Sequence, residues 1–547
     1  MRGRVAILVG WTFGVLALGT VAATAADPDL RLVQAAADQD RPAVRALLRQ
    51  QVDVNAARAD GATALLWAAH WDDLEMVDLL VRAGANVNAA DDYKVTALAR
   101  ACENASEAVV ARLLAAGADP NAGQQSGLTP LMIASLTGST TVVKALIAHG
   151  AAVNALTHEA QASALMWAVA QGHADIVRAL VERGADIRAS TAKGFTPLMF
   201  AARNGDIDIA KVLIAAGADV NTPGADGTHV LPHAIINAQD KFALFVLEQG
   251  ADPNGRINGI AALHAASGGV SSWLSDWARR HGVGGSLGLG GGTSPLPADR
   301  RLTLIKALLA KGADPNARIT ASAMFMGYIG YPKRGAFEPY STGTGDLYGA
   351  TPLWIAAYAA NGNVGGGAAS EAGAAPLSDP TSDILRTLLA AGADPRLTTV
   401  DGTTPLMVAA GLGRATFSPG LQRARRSPTA EQAVHILLGA GSDINAVNEA
   451  DFTALHGAAF RGLDEVIQIL VDRGVDINAR DFRGRTAYRI AEGSKQSFQF
   501  QAYPETAEFL RKLGANIRLG IPGTVQERAR DLASDAANSR STEQQQP

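Results

Sequence analysis

A short phrase, Gly-Ala-Asp-x-Asn with variants, recurs twelve times along this 547-residue chain. Its last positions are Asn55, Asn88, Asn121, Asn154, Arg188, Asn221, Asn254, Asn316, Arg396, Asn445, Asn478 and Arg518. From Asn55 the first six intervals are 33, 33, 33, 34, 33 and 33 residues. The length allows several ordinary domains or one long array, and a fixed period of this kind selects the array. In such a solenoid each unit is one supersecondary element that buries its apolar faces only against its neighbours.

A second phrase precedes several of the first: Thr129-Pro130-Leu131, Thr196-Pro197-Leu198, Thr351-Pro352-Leu353 and Thr404-Pro405-Leu406. The Thr is placed to N-cap a helix, and Pro suits the first turn because its missing N–H had no partner there. The Leu and paired alanines that follow face inward. In a second helix Ile176, Val177, Leu180 and Val181 fall on one face. Gly84, Gly117, Gly184, Gly217, Gly312 and Gly474 stand where second helices end and a left-handed residue is needed. Asp and Asn then turn the chain into a hairpin.

These phrases resemble the ankyrin repeat, whose signature contains Thr-Pro-Leu-His, Ala-Ala, a Gly-His turn, a Leu-Leu helix and Gly-Ala-Asp-Val-Asn-Ala. The resemblance covers about residues 30–518, and with the N-terminal segment it points to an exported bacterial type. It implies an all-α solenoid of about twelve units, each a helix-turn-helix with a β-hairpin turn. The first unit lacks the Thr-Pro-Leu phrase, and His at its fourth position stands only as His264 and His456. The seventh unit reads His229-Val230-Leu231-Pro232, which predicts an irregular start to its first helix.

The period divides the chain into regular repeats over 27–266 and repeats with inserts over 267–518. The inserts fall at 268–299, 317–348, 362–382 and 413–430, and are expected to weaken neighbour contacts between the seventh and tenth units. The first holds Trp273, Trp277 and a glycine-rich run over 284–292 that neither follows a strand nor carries Gly-Lys-Ser/Thr, so it reads as a flexible linker. The second replaces a hairpin tip and carries Met324, Phe325, Met326, Tyr328, Tyr331, Phe337, Tyr340 and Tyr348. Disordered linkers are poor in aromatics, so this loop packs on something, either its own solenoid or a partner. The third and fourth read as surface loops between helices, and the polar tail 519–547 as disordered.

Ahead of the array, Arg2 and Arg4 precede an apolar run from Val5 to Val21 and the small residues Ala22-Ala23-Thr24-Ala25-Ala26. Those are the three parts of a secretory signal peptide over 1–26, cleaved after Ala25 or Ala26, with an uncleaved membrane anchor as the alternative. Export implies a periplasmic or secreted protein. No later segment is apolar for the ~18 or more residues a membrane helix needs. A formal net charge of −4 with no clustered basic surface gives no nucleic-acid footprint. The single cysteine, Cys102, falls at a small core position.

The sequence contains no His-Glu-x-x-His or Cys-x-x-Cys. His173, His264 and His456 stand where the repeat uses them structurally. No catalytic, metal or cofactor residue is assigned, and the reading is of a monomeric non-enzyme that binds a protein partner. First-helix positions left variable by the pattern should line the concave side, as the resemblance implies: Trp67, Arg100, Trp167, Phe200 and His233, with Trp71, Glu103 and Arg203 three or four residues further on. Stacked helices place successive members ~8–10 Å apart, and Trp and Arg carry much interface energy. Phe325, Tyr328, Tyr331, Phe337 and Tyr340 complete the candidate site, capping the groove beside Trp167, Phe200 and His233. Trp67 and Trp167 can also be read as partly buried fillers. The alternatives in function are an enzyme or small-molecule binder with a pocket under the 317–348 insert, and a secreted effector acting on a host protein.

Overall fold

Thr129, Thr196, Thr351 and Thr404 each take extended backbone angles and accept a hydrogen bond from the N–H three residues on, at 3.1–3.4 Å. Each is followed by Pro in the first turn of a helix. Thr63, Thr96, Ser163 and Thr453 cap first helices in the same way without a Pro. Such caps contribute about 1 kcal/mol apiece. His229 stands at the cap position of the seventh repeat and makes no side-chain cap. Its backbone N–H donates to the Arg256 carbonyl instead (2.9 Å), and the helix starts in register all the same.

The computed structural model describes residues 29–270, 274, 277, 296–321, 347–360, 380–412, 427–481, 484–496 and 499–520. Among them are twelve helix pairs. They are α1 (Arg31–Ala37) with α2 (Arg41–Arg49), α3 (Ala64–His70) with α4 (Leu74–Arg82), α5 (Ala97–Glu103) with α6 (Glu107–Ala115), and α7 (Pro130–Thr137) with α8 (Thr140–Ala148). Next come α9 (Ala164–Ala170) with α10 (Ala174–Glu182), α11 (Pro197–Asn204) with α12 (Ile207–Ala215), α13 (Val230–Ile236) with α14 (Asp240–Glu248), and α15 (Ala262–Ser267) with α16 (Ala298–Ala310). The last four are α17 (Pro352–Ala359) with α18 (Pro380–Ala390), α19 (Pro405–Ala409) with α20 (Pro428–Gly439), α21 (Ala454–Arg461) with α22 (Asp464–Asp472), and α23 (Ala487–Gly493) with α24 (Pro504–Lys512). Two antiparallel ribbons join them, β1 (Arg256–Ile257) with β2 (Ile260–Ala261), and β3 (Ser494–Gln496) with β4 (Gln499–Gln501). The second ribbon lies between α23 and α24 and accounts for the long final interval.

Contacts divide the chain after Gln125 into two compact units. In the first, α1 packs on α3 and α3 on α5, while α2, α4 and α6 stack behind them. In the second, the first helices α7 through α23 pack each on the next without a break, and α14, α16, α18, α20, α22 and α24 form a parallel row. The stack of helices therefore continues across the inserts. Helices α16, α18 and α20 begin two to three residues inside the expected inserts.

The reason lies in the asparagine of the repeated phrase. Asn254 donates its amide to the Gly312 carbonyl (3.1 Å) and accepts from the Asp314 N–H (2.8 Å), across the whole first insert. Asn316 makes the same pair with Gly392 and Asp394, at 2.9 and 2.8 Å, across the second and third. Asn88 with Gly117 and Asp119, and Asn221 with Gly250 and Asp252, repeat the pattern where no insert intervenes. One side chain thus satisfies a helix-end carbonyl and a turn N–H of the following repeat, groups that would otherwise be orphaned. Hairpin tips add a second ladder: Gln125 N–H to Tyr93 in the first unit, and Thr320 N–H to Gly259 and Val400 N–H to Tyr348 in the second. The approach is close enough that a Cβ on Gly259 would lie 2.6 Å from the Ala321 nitrogen, at a φ of +76°.

Candidate functional site

In the first unit, Trp67 on α3 is half-buried and Trp71 just beyond it is exposed. Their rings stack at 6.2 Å, and the His70 ring meets each edge-on, at 5.6 and 4.7 Å. The Arg58 guanidinium lies 5.3 Å from the centre of the Trp67 ring. Trp71 donates its indole N–H to the Ala37 carbonyl (3.1 Å), at the end of α1. One helix on, Arg100 is half-buried and pairs with Glu103 at 2.8 Å. Asn104 beside them donates to the Ala69 and His70 carbonyls, closing the end of α3. Aromatic and charged side chains predicted to share a face do so here, and the charged ones already neutralise each other.

In the second unit, Trp167 on α9 and Phe200 and Arg203 on α11 are half-buried. The Arg203 guanidinium stacks 5.1 Å from the Phe200 ring centre. No carboxylate among the described residues pairs with it, and burial lowers its pKa from the ordinary arginine value. The indole N–H groups of Trp67 and Trp167, one in each unit, are shielded from water and meet no acceptor.

His233 corrects the sequence reading. It is fully buried rather than presented for contact. Trp277, from the segment between α15 and α16, packs against it edge-on at 5.9 Å and against Phe195 at 6.0 Å. The Trp277 indole donates to Asp226 Oδ2 at 2.7 Å, and Val270 and Leu274 are buried on the way. This part of the 268–299 insert is therefore packed. Aromatic cover over His233 comes from Trp277 of the first insert. Period alone could not reveal this, because Trp277 belongs to no repeat position; its proximity to Trp273 in a glycine-rich run was the available sign.

Phe325, Tyr328, Tyr331, Phe337 and Tyr340 lie outside the described residues, as do the segment 1–26, the glycine-rich run and most of the tail. The flanks of the second insert are visible. The Ile319 N–H donates to the Ala350 carbonyl (3.0 Å) and the Ile319 carbonyl accepts from the Gly349 N–H (2.9 Å), so the two flanks lie side by side.

Residues set aside as structural behave so. His264 Nδ1 accepts from the Ala261 N–H (3.2 Å) and its Nε2 meets the Ala350 carbonyl (3.0 Å); burial pushes its pKa down to about 4. His456 repeats the arrangement with Thr453 and Arg485. Burial pushes the Cys102 thiol up to about 12, which leaves it unreactive as a nucleophile. Among the described residues no group of three or more His, Cys, Asp or Glu is placed to hold a metal ion. No described helix is long and apolar enough to cross a membrane.

Family models described as ankyrin repeats match residues 32–124, 108–191 and 185–257 (three copies) and 437–491 (many copies). With twelve helix pairs stacked in order, that decides the family. The chain is an ankyrin-repeat protein. Parts of the array are similar to alpha-latroinsectotoxin-Lt1a of Latrodectus tredecimguttatus, 36% identical over 128 residues and 23% of this chain. They are also similar to the human ankyrin repeat and SOCS box protein 16, 32% identical over 138 residues and 25% of this chain. The matches span 8% and 27% of those relatives' own lengths, and both relatives are eukaryotic. The ankyrin repeat domain of human ASB11 is a structural neighbour with a TM-score of 0.34 and 27% identity, over 37% of this chain and 89% of that one. The ankyrin fold is generally a scaffold for protein interaction.

Proposed function

We propose that this ankyrin array is an exported scaffold that binds a protein partner through its first-helix row, with Arg203 and Phe200 as the anchor. The observation that carries it is the half-buried Arg203 guanidinium, stacked on Phe200 and without a carboxylate among the described residues. Arg100, which stands at the register position of Phe200, is by contrast answered by Glu103. Desolvating a cation without a partner is unfavourable unless the anion arrives from outside. Arg and aromatic side chains together are also the residues that dominate interface energetics. Trp167 extends the surface in the same unit. Trp67, Trp71, Arg100 and Glu103 form a second, self-neutralised patch. Aromatics of the 322–346 segment are a further arm of the site. The Arg2/Arg4, apolar and small-residue sequence of the N-terminus supports export to the periplasm or medium.

A photo-crosslinking residue at Phe200, in the chain expressed with its native N-terminus, tests the binding role. Adducts with a discrete protein are expected, and Arg203→Glu should abolish them while leaving the circular-dichroism spectrum unchanged. Adducts that persist in Arg203→Glu, or none in either form, overturn the assignment. N-terminal sequencing of the exported form should read Ala26 or Asp27, and an intact Met1 in the membrane fraction means an anchor.

A further inference from the structure

Arg461 ends α21, at the register position that Asn104 and Asn204 hold in earlier repeats. Those asparagines donate to the last carbonyls of the preceding first helix: Asn204 to Val169 and Ala170 at 3.3 and 3.0 Å. Arg461 makes no such bond. Its Nη1 is shut off from water without an acceptor, and no carboxylate among the described residues reaches the guanidinium. The ionisable groups that bear on it are two phenols, Tyr358 of α17 and Tyr503 before α24. Burial lowers its pKa, the phenols opposing that shift.

Gly411 makes room for this side chain, and Gly457 and Gly462 let its surroundings approach. A Cβ on Gly411 would lie 2.8 Å from Arg461 Cγ and 2.9 Å from the Gly457 carbonyl. A Cβ on Gly457 would lie 2.7 Å from the Leu412 nitrogen, and one on Gly462 would press on the Tyr503 ring at 3.0 Å. Gly457 stands at the register position of Trp67, Trp167 and Phe200, and Gly411 at that of Arg203. The bulky first-helix row is thus emptied at these positions, and the end of α21 approaches the end of α19 backbone to backbone. Tyr358 is held from behind by Trp354, whose ring stacks on it at 5.4 Å and 9°.

We infer that Arg461, flanked by Tyr358 and Tyr503 over the Gly411–Gly457 contact, is a binding site for an oxyanion, a carboxylate or phosphate group that takes the guanidinium N–H donors. An unpaired buried charge is strongly unfavourable, whereas an arginine fork matches two oxygens of one such group. Asparagine at this position would have satisfied the neighbouring helix end without charge. The site is independent of Arg203 and of any protein partner.

The test is a titration of the full chain with inorganic phosphate, and separately with acetate, at constant ionic strength, followed through arginine Nε–Hε resonances. One resonance should shift saturably in the tens-of-millimolar range or below and be missing in Arg461→Gln. Tyr358→Phe or Tyr503→Phe should weaken binding by about tenfold, the cost of one hydrogen bond to a charged group. Saturation by phosphate but not acetate identifies a phosphate ligand, and the reverse a carboxylate. Arg461→Met serves as the folding control. Without anion it should melt higher than wild type, because an unpaired buried charge is gone, and anion should stabilise wild type alone. No saturable shift with either anion, an isotherm unchanged in Arg461→Gln, or a lower melting midpoint for Arg461→Met without anion overturns the site.

Discussion

Trp277 donates its indole N–H to Asp226 at 2.7 Å, tying the segment between α15 and α16 to the hairpin between the sixth and seventh repeats. Asp226 Oδ2 also accepts from the Thr228 hydroxyl at 2.8 Å, so the carboxylate is fixed before the tryptophan arrives. The indole then covers His233 and Phe195. Replacing Trp277 by Ala should cost about 3–5 kcal/mol, the range for large-to-small core changes. Asp226→Ala should cost roughly 1–3 kcal/mol, because it removes the hydrogen bonds from the Trp277 indole and from the Thr228 hydroxyl and N–H to a charged group but keeps the ring in place. Urea unfolding followed by tryptophan fluorescence measures both. A Trp277→Ala midpoint within error of wild type means that this segment does not pack on the array.

The asparagine bridges allow a prediction in each direction. Asn254→Ala removes a bond to the Gly312 carbonyl and one from the Asp314 N–H, at about 1 kcal/mol each. Arg188 and Arg396 stand where the phrase ends in Arg, with no amide to span to the next repeat. Arg188→Asn should therefore stabilise by about 1 kcal/mol, and the double change Asn254→Ala with Arg188→Asn should come out near additive, since the sites lie in different interfaces. Equal melting midpoints for wild type and Arg188→Asn would show that the bridge contributes nothing net.

Much of this fold could be read directly. The Thr and Gly of each unit are local signals, a cap and a left-handed turn, and Gly84, Gly117, Gly184, Gly217, Gly312 and Gly474 all take positive φ. The site was legible only in part, for a physical reason. Register tells which positions share a helix edge, so Trp67 with Trp71 and Phe200 with Arg203 were found together. It does not tell what lies over that edge. His233 has the register of a contact residue and is buried by Trp277, which comes from outside the repeat. Likewise Arg461 has the register of an ordinary helix-end residue; only the glycine-lined approach of α21 to α19 shows that it is half-buried, with its Nη1 shut off from water and no carboxylate among the described residues beside it. The bridges that carry the stack across the inserts were not legible either, because Asn254 and Asn316 act on residues that long intervals separate.

The buried histidines make stability depend on pH. His264 is enclosed, and burial holds its folded-state pKa at about 4 against an ordinary 6.5. Above pH 6.5 the ring is neutral in both states and its contribution is fully present. As pH falls through 6.5 the unfolded chain takes up the proton first, so stability drops, and it continues to drop until the folded ring titrates near 4. The total is roughly 3 kcal/mol for a shift of this size. His456 is lowered for the same reason, burial, and adds in the same direction. Asp401, whose carboxyl burial pushes up, acts in the opposite sense as pH falls, so the effect is read as a difference between proteins rather than as one curve. Urea midpoints of wild type and His264→Gln should differ most at neutral pH and converge as pH approaches 4.5, with the variant less stable at pH 7 because Gln replaces the ring that joins Ala261 to Ala350. A difference that stays constant from pH 7.5 to 4.5 would mean that His264 titrates alike in the folded and unfolded chains.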